Sequence, residues 1–451
     1  MKTYQNLLRP MLTPEAVCKC ALEAAEKKTR RHEVLYAFQH FDETYEEVVA
    51  CALSQDYTPR TENRHIVKDG TNGKMRTIEK PMFCPEQILH HILVAPFRGI
   101  VMNGLYEQVY GCLPATYQKM PDGKTRVHKY GPHAAIRQIR KWVQVPRKTY
   151  VAELDVHHAY GSVNIEILMD KLKRTIRDEE WLRLMRAFLR DEEGLTLGHY
   201  ISPWLFNFYL KNFDHFAAKL NGTKYLRFAD NIFLVGRNKR KVHNAVTKIR
   251  DYLYRNLKLE LNASAQVYRF EYVDRYGKVR GRAVNALGAV IHYNRITLRK
   301  RILKRIRRKA MQIEKKKKPT WHDGASMFSR LSWIRCTNTY QYYIKYIKPR
   351  INTRALKQKV REHSRLLQPL AEMRRQMIYD GLDQSEWLAG RAAIGDRCRE
   401  QHNDSVSAPQ HHPDRGRRRK WSKSKTLGVR RKEDDCKRVR SVAIETGKSR
   451  C

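Results

Sequence analysis

The segment Tyr225–Gly236, YLRFADNIFLVG, decides the fold prediction. Its two apolar arms predict a β-hairpin with Ala229-Asp230-Asn231 at the turn. An Asp in a tight turn often bonds only its own backbone. Asp230, however, stands between two apolar strands, where a carboxylate is costly unless another group compensates it. The hairpin tip is therefore a candidate functional position, and the neighbouring Asn231 is expected to suit the tight turn, where a positive φ is often required.

A second acid, Asp155, is a candidate functional residue because of its position at the end of a predicted strand. The stretch TYVAELDVHHAYGSVN, residues 149–164, predicts a strand that runs into a turn, and a helix follows it. Asp155 ends that strand, where α/β folds commonly place chemical groups, although an Asp that caps a helix is the plainer alternative. Two acids from separate strands can meet on one sheet and hold two divalent ions for phosphoryl transfer. Magnesium suits such a site, because it accepts a few carboxylates together with phosphates and water.

The charge of the chain indicates its partner. Its 451 residues include 90 Lys and Arg against 46 Asp and Glu, a net charge of +44. Nucleic acid is the expected partner, since its phosphates hold basic proteins through counterion release. A membrane surface is the rival, but no apolar run approaches the ~18 residues of a membrane span. The N-terminus lacks the apolar core of a signal peptide, and nine scattered cysteines suit a reducing cytoplasm.

Two further segments predict contacts with a phosphorylated ligand. Residues 60–81 read as two strands with a Gly-rich turn, and Lys74 and Arg76 fall on one face of the second strand. A solvated hairpin is the plainer reading of that segment. In GLTLGHYISPWLFNFYL, residues 194–210, a loop becomes a helix, and Gly198 permits close approach of the backbone to a ligand.

The C-terminal part is strongly basic. From Leu298, apolar residues at helical spacing alternate with a dense basic face, so residues 299–318 predict a helix packed on one side and laid against phosphates on the other. Beyond about Met377 the chain is polar and basic, which predicts a flexible arm. Cys398, His402, His411 and His412 can ligate a metal, but they lie in this polar tail.

Taken in order, these segments resemble the reverse transcriptases, especially the free-standing bacterial ones, over about residues 60–350. The resemblance rests on LDVHHAY, LGHYISPWLFN, RFADN in the place of Tyr-x-Asp-Asp, GKMRTIEKP, YGCLP with GPHAAI, ALGAVIHYNRITLRKR, and LSWIRCTNTYQYYIKYIKP. It implies catalytic Asp155 and Asp230, and metal ligation by Asp155, Val156, Asp230 and Asn231. It also implies a nucleotide site formed by Lys74, Arg76, Tyr160, Gly198 and Ser202. Tyr160 would lie under the sugar.

The resemblance implies an α+β right-hand polymerase. Its expected parts are a helical N-terminal extension over residues 1–59, fingers and a palm with an antiparallel sheet over 60–292, a helical thumb over 293–376, and a disordered basic tail over 377–451. The thumb residues expected to hold nucleic acid are Arg299, Lys300, Arg301, Lys304, Arg305, Arg307 and Arg308. Three departures stand out: Asn231 replaces the second acid, the strand near Leu259 lacks the usual lysine, and Ser202-Pro203 replaces the Ser-Gln of diversity-generating retroelements.

The expected activity is synthesis of DNA on an RNA template, with two Mg²⁺ ions or with Mn²⁺. The expected partners are template RNA, a DNA primer and its product, and deoxynucleoside triphosphates, with a non-coding RNA or an accessory protein as additional candidates and no membrane. The expected setting is the bacterial cytoplasm, in a retroelement or a phage-defence system. Two alternatives stay open: a palm-fold RNA-binding scaffold with weak or no activity, and an RNA-directed RNA polymerase.

Overall fold

The N-terminal part of the chain is helical in this computed structural model, which describes residues 3–26, 28, 31–68, 75–119, 125–128, 130–144, 148–190, 194–263 and 265–366. All of these residues fall in one unit, residues 1–398. The helices are α1 (Pro14–Ala24), α2 (His32–Gln39) and α3 (Phe41–Leu53). The Thr13 hydroxyl caps α1 by accepting the Ala16 N–H at 3.3 Å, as the Thr-Pro-Glu sequence predicts.

Two hairpins and two helices form the next region. Strands β1 (Thr61–Lys68) and β2 (Met75–Pro81) pair antiparallel, with Val67 opposite Arg76. The Gly-rich turn and Lys74 lie outside the described residues. A π-helical turn over Phe83–Gln87 leads into α4 (Ile88–Met102), and the region continues with β3 (Thr116–Lys119), β4 (Thr125–His128) and α5 (Pro132–Val143).

A four-stranded antiparallel sheet forms the centre of the fold. The chain runs through β5 (Tyr150–Asp155), α6 (Ile165–Thr175), α7 (Glu179–Ala187), α8 (Ser202–Ala218), β6 (Thr223–Phe228), β7 (Asn231–Gly236), α9 (Lys239–Leu257) and β8 (Gln266–Arg269). The strand order is β6-β7-β5-β8. The strand that ends at Asp155, the helix after it and the hairpin at Asp230 are therefore present as predicted.

Both faces of this sheet are buried, which explains why both hairpin arms are apolar. Ile232 and Leu234 belong to the core shared with α4, α8 and α9, which we call the helix face. Phe233 and Val235 point the other way and join Val151 in a smaller core with α5. Because side chains alternate along a strand, Asp155 lies on the same side of β5 as Val151. We call that side the cleft face.

The remaining elements are a short hairpin, β9 (Tyr272–Val273) with β10 (Val279–Arg280), a second hairpin, β11 (Ala289–Ile291) with β12 (Ile296–Leu298), and the helices α10 (Lys300–Glu314), α11 (Trp321–Arg335), α12 (Tyr340–Tyr346) and α13 (Thr353–Leu366). The predicted apolar stripe of α10 is buried at Ile306, Ala310 and Ile313. The expected α+β class is confirmed, and the tail beyond residue 366 lies outside the described residues. None of the helices described is long and apolar enough to cross a bilayer.

Candidate active site

The sheet brings the two predicted acids to one edge. Asp155 ends β5 directly opposite Asn231, which begins β7, and the Val156 N–H donates to the Asp230 carbonyl at 3.2 Å. Directly opposed residues in an antiparallel pair project from the same face, so the Asn231 side chain lies beside that of Asp155. The Asn231 amide donates to Asp230 Oδ1 at 2.8 Å. Both carboxylates therefore meet on the cleft face.

The turn differs in one respect from the prediction. Only Ala229 and Asp230 make the turn, whereas Asn231 is already paired with Phe228 across the hairpin. The positive φ of the turn, 52°, belongs to Ala229. The expectation that Asn231 supplies a positive φ is wrong, because a two-residue loop places the left-handed conformation inside the turn. Asn231 is instead a strand residue whose side chain contacts the neighbouring acid.

Asn262 is a site residue that sequence reasoning missed. Its amide donates to Asp155 Oδ2 at 2.8 Å, and its backbone N–H donates to the Asp155 carbonyl at 2.8 Å. Asn262 therefore fixes both the carboxylate and the backbone of Asp155. The sequence indicated only that the strand near Leu259, which precedes Asn262, lacks the usual lysine. A contact between residues 107 positions apart has no local sequence signal.

Beneath the turn, a buried ion pair ties the hairpin to α8. Arg227 donates from Nε and Nη2 to the two oxygens of Asp214, both at 2.7 Å, and both side chains are fully buried. Burial lowers the pKa of Arg227, but the Asp214 carboxylate more than offsets that effect and the pKa is raised overall. Tyr225 donates to the same carboxylate at 2.6 Å. Arg227 Nη1 then reaches the Ala229 carbonyl at 3.0 Å, so the pair holds the turn itself.

The turn is also held from its outer side by Gly111, in the YGCLP segment. A Cβ at Gly111 would lie 2.2 Å from the backbone nitrogen of Ala229, so only glycine permits this approach. Asn207 of α8 donates to the Gly111 carbonyl at 3.1 Å. The Tyr110 N–H donates to the Arg227 carbonyl at 2.9 Å. Three separate parts of the chain therefore set the position of Asp230: the end of β5, helix α8 and the YGCLP segment.

Tyr160 lies next to these acids. Its ring stacks on Phe206 of α8, with 4.9 Å between centroids and 21° between planes. Burial raises the pKa of its hydroxyl, and the neighbouring Cys112 and Asp230 add to that effect. The phenol is therefore neutral at physiological pH, and its flat ring is held in one orientation near Asp230.

The other predicted nucleotide contacts lie at the junction with β2. Gly198 has φ +108°, and a Cβ there would lie 2.0 Å from the Glu79 carbonyl, so the close approach is to β2. The Glu79 N–H donates to the Leu197 carbonyl at 2.9 Å. Ser202 is buried and donates to the Thr196 carbonyl at 2.6 Å. Arg76 is exposed on β2. The roles of these three residues toward a nucleotide stay predictions.

The predicted basic face at α10 is exposed at four of its seven positions. Lys300, Arg301, Lys304 and Arg308 are exposed. Arg305 and Arg307 are half-buried, and the Arg307 guanidinium lies 5.1 Å from the centre of the Tyr346 ring. Arg299 instead donates to the side chain of Asn285 at 2.5 Å and to its carbonyl at 3.1 Å.

The donor chemistry at the acid pair fits a divalent cation of the magnesium type. Two carboxylates share one edge, with the backbone of Val156 between them, and magnesium prefers oxygen ligands of this kind. In the described part of the chain, no cluster of three or more His, Cys, Asp or Glu is arranged to hold a metal.

The central segment matches a known protein family. Residues 105–267 match the family described as "Reverse transcriptase (RNA-dependent DNA polymerase)". The match contains Gly111, Asp155, Tyr160 and Asp230, and it extends to the Asn262 contact. This segment is therefore similar to the reverse transcriptases, the family of nucleotidyl-transferring polymerases that the motif order resembles. No curated protein sequence matches the chain.

Solved structures with some similarity include two fungal telomerases. Apo telomerase from Candida tropicalis, truncated from its C-terminal domain, shares 10% identity with a TM-score of 0.36, covering 54% of this chain and 55% of that one. Telomerase from Candida albicans in complex with a TWJ fragment of telomeric RNA shares 10% identity with a TM-score of 0.38, covering 68% and 58% respectively. The matched region thus spans little more than half of each telomerase chain.

Proposed function

We propose that this protein synthesises DNA on an RNA template, with Asp155 and Asp230 as its catalytic acids. The observation that carries the proposal is the meeting of these two carboxylates at the edge of the central sheet, inside the segment that matches the reverse transcriptase family. Two divalent ions at such acids supply the charge stabilisation for an in-line attack of a primer hydroxyl on the α-phosphate of a nucleotide. Magnesium is the proposed ion, and manganese can replace it.

The residues around the two acids have separate proposed roles. Asn262 orients the Asp155 carboxylate through its amide, while Arg227 and Gly111 fix the turn that presents Asp230. Tyr160, held flat on Phe206, is the proposed surface under the sugar, where a ring leaves no room for a 2′-hydroxyl. Arg76 on β2, with Lys74 beside it in the sequence, is proposed to neutralise the triphosphate, and Gly198 and Ser202 to line the nascent base pair.

The basic thumb completes the proposal. The exposed positions of α10 offer positive charge to a duplex without base-specific groups, so they would hold the template and product by their phosphates. The proposed division of the chain follows the sequence prediction: fingers and palm over residues 60–292, and thumb over 293–376. The proposed setting is the cytoplasm of a bacterium, in a retroelement or a phage-defence system, and it rests on the resemblance to free-standing bacterial enzymes.

One observation favours a second candidate, an RNA-binding scaffold with little activity. Asn231 directs an N–H group toward Asp230, where a second carboxylate would add negative charge for the metal. A weaker hold on one ion lowers turnover without changing the +44 surface that binds nucleic acid. The two candidates therefore differ in activity and agree in binding.

Primer extension by the purified full-length protein tests the proposal. An RNA template with a DNA primer is offered deoxynucleotides or ribonucleotides, with Mg²⁺ or with Mn²⁺. We expect metal-dependent extension with deoxynucleotides, and increased use of ribonucleotides by Tyr160→Ala. Extension with ribonucleotides alone would identify an RNA polymerase, and RNA binding without extension under either metal would favour the scaffold.

A further inference from the structure

An exposed hairpin lies beyond the fourth strand of the central sheet, outside the residues assigned above. We call residues 268–282 the Arg–Tyr hairpin, because its side chains form three stacked pairs. The guanidinium carbons of Arg269, Arg275 and Arg282 lie 3.4, 4.7 and 4.6 Å from the ring centres of Tyr272, Tyr276 and Tyr268. Tyr276 at the tip is 70% exposed, a large fraction for an aromatic ring.

The hairpin carries a surplus of positive charge that is available to a ligand. It contains five basic residues and two acidic ones. Both acids are engaged within the protein. Asp274 accepts the backbone N–H groups of Tyr276 and Lys278, both at 2.9 Å, and contacts Arg280 at 3.2 Å. Glu271 contacts His292 at 3.1 Å. The outward charge is therefore basic.

Internal contacts give the hairpin a fixed shape. Strands β9 and β10 pair Val273 with Val279 and Tyr272 with Arg280. The Asp274 bonds close the turn, and Gly277 supplies its positive φ of 74°. Because the aromatic and guanidinium planes already pack on each other, binding of a stacked ligand costs little conformational entropy of these side chains.

The hairpin also begins on the face of the sheet that carries the catalytic acids. Tyr268 lies directly opposite Val151, so it projects from the cleft face, and its hydroxyl donates to Glu153. Glu153 precedes Asp155 by two residues on the same face of β5. Four residues of β5 separate Val151 from Asp155, which puts the start of the hairpin roughly 14 Å from Asp155 at about 3.4 Å per residue, or about four nucleotide steps along one strand.

We propose that the Arg–Tyr hairpin binds an unpaired segment of the RNA that the protein copies, outside the base pairs being formed. Exposed aromatic rings and guanidinium planes stack on unpaired bases, while surrounding Arg and Lys hold the phosphates. A duplex offers such a surface only its phosphates, because its bases are stacked on each other. RNA is the occupant that follows from the proposed function, since the DNA product remains paired with its template. The inference rests on that function for the identity of the strand.

Fluorescence anisotropy with the full-length protein tests this inference without any nucleotide incorporation. The probes are an unpaired RNA oligonucleotide, a DNA oligonucleotide of the same sequence and a blunt RNA–DNA duplex. We expect Tyr276→Ala to weaken binding of the unpaired RNA about five-fold or more, with little change for the duplex, since base stacking on an aromatic ring is lost. Tyr276→Trp should retain the affinity, because it retains a ring.

Tyr36→Ala is the matched control, because Tyr36 is 50% exposed on α2, in the N-terminal helical region. An effect of Tyr276→Ala no larger than that of Tyr36→Ala would overturn the inference. An equal loss for the duplex would also overturn it, since the hairpin would then bind phosphates alone, and so would a loss confined to DNA. Melting temperatures establish that the variants are folded.

The outcomes separate this inference from the proposed function. Selective loss of RNA binding in Tyr276→Ala, in a protein that extends no primer, would support the RNA site and contradict the polymerase. Normal primer extension together with unchanged RNA binding in Tyr276→Ala would support the polymerase and remove the site.

Discussion

The two faces of the hairpin at Asp230 place a carboxylate in opposite electrostatic environments. On the helix face, Asp214 is fully buried and both of its oxygens accept charged N–H groups from Arg227. On the cleft face, Asp230 is half-buried and accepts a hydrogen bond from the neutral amide of Asn231. Within the described residues, no basic side chain lies within ion-pair distance of Asp230. One carboxylate is neutralised inside the protein, whereas the other has no charged partner among the described residues, as the proposed binding of an external cation requires.

This difference is the one expected between a structural acid and the proposed metal-binding acid. A buried carboxylate without compensation costs several kcal/mol, and the Arg227 fork provides that compensation at Asp214. An acid that is to bind a metal cannot have such a partner, because the partner would compete with the ion. The structural pair in turn fixes the position of Asp230, since Arg227 also binds the Ala229 carbonyl in the turn.

The largest expected effect follows removal of an acid from the cleft face. Asp155→Ala and Asp230→Ala should each lower the rate of single-nucleotide incorporation by roughly 10³-fold or more, as expected when an essential charge at the reacting groups is lost. RNA affinity should change little, because it depends on the +44 surface. Asp251→Ala, at an exposed position of α9, is the control. A rate near wild type for either variant would remove that acid from the site.

The opposite result is expected on the helix face. Asp214→Ala leaves Arg227 buried without its partner, so the free energy of unfolding should fall by about 3–5 kcal/mol. Urea unfolding followed by fluorescence measures the change. The double variant Asp214→Leu/Arg227→Met should recover part of the loss, since neither charge is then buried alone. A loss below about 1 kcal/mol for Asp214→Ala would contradict the structural assignment.

Local patterns in the sequence were enough to predict the elements that carry the two proposed catalytic acids. Alternating apolar residues predict the hairpin arms, and helical spacing predicts α6 and the stripe of α10. Contacts between distant segments could not be predicted in this way. The bond from Asn262 to Asp155 joins residues 107 positions apart, and the approach of Gly111 to Ala229 depends on how a loop meets a turn. Strand register places the positive φ at Ala229, which residue preference alone assigns to Asn231.

A smaller effect should follow the loss of the amide that orients Asp155. Asn262→Ala should lower nucleotide incorporation by about 10- to 100-fold, the range typical when the partner of a metal-binding group is removed. Asn262→Asp should be worse, because a second carboxylate would repel Asp155 at the 2.8 Å contact. Initial rates across a magnesium titration measure both variants. Equal rates for wild type and Asn262→Ala would show that the backbone bond alone orients the acid.

The smallest effect concerns the amide beside Asp230. Asn231→Asp adds a carboxylate next to two others, so it should increase affinity for the metal and shift the magnesium dependence to several-fold lower concentration. Manganese should stimulate wild type more than this variant. Asn231→Ala serves as the reference for loss of the amide alone. Should wild type be inert with every metal while Asn231→Asp is active, the scaffold candidate would replace the polymerase.

The central claim is that Asp155 and Asp230 together hold a divalent cation, and iron-mediated cleavage of the backbone tests it most directly. With ascorbate and hydrogen peroxide added, Fe²⁺ bound at a magnesium site reduces the peroxide to hydroxyl radicals that cut the nearest peptide bonds, ascorbate regenerates the Fe²⁺, and mass spectrometry locates the cuts. The account predicts cuts near both Asp155 and Asp230, which excess Mg²⁺ suppresses and which Asp155→Asn and Asp230→Asn lose. Cuts that appear elsewhere, or that persist unchanged in both folded variants, would contradict it.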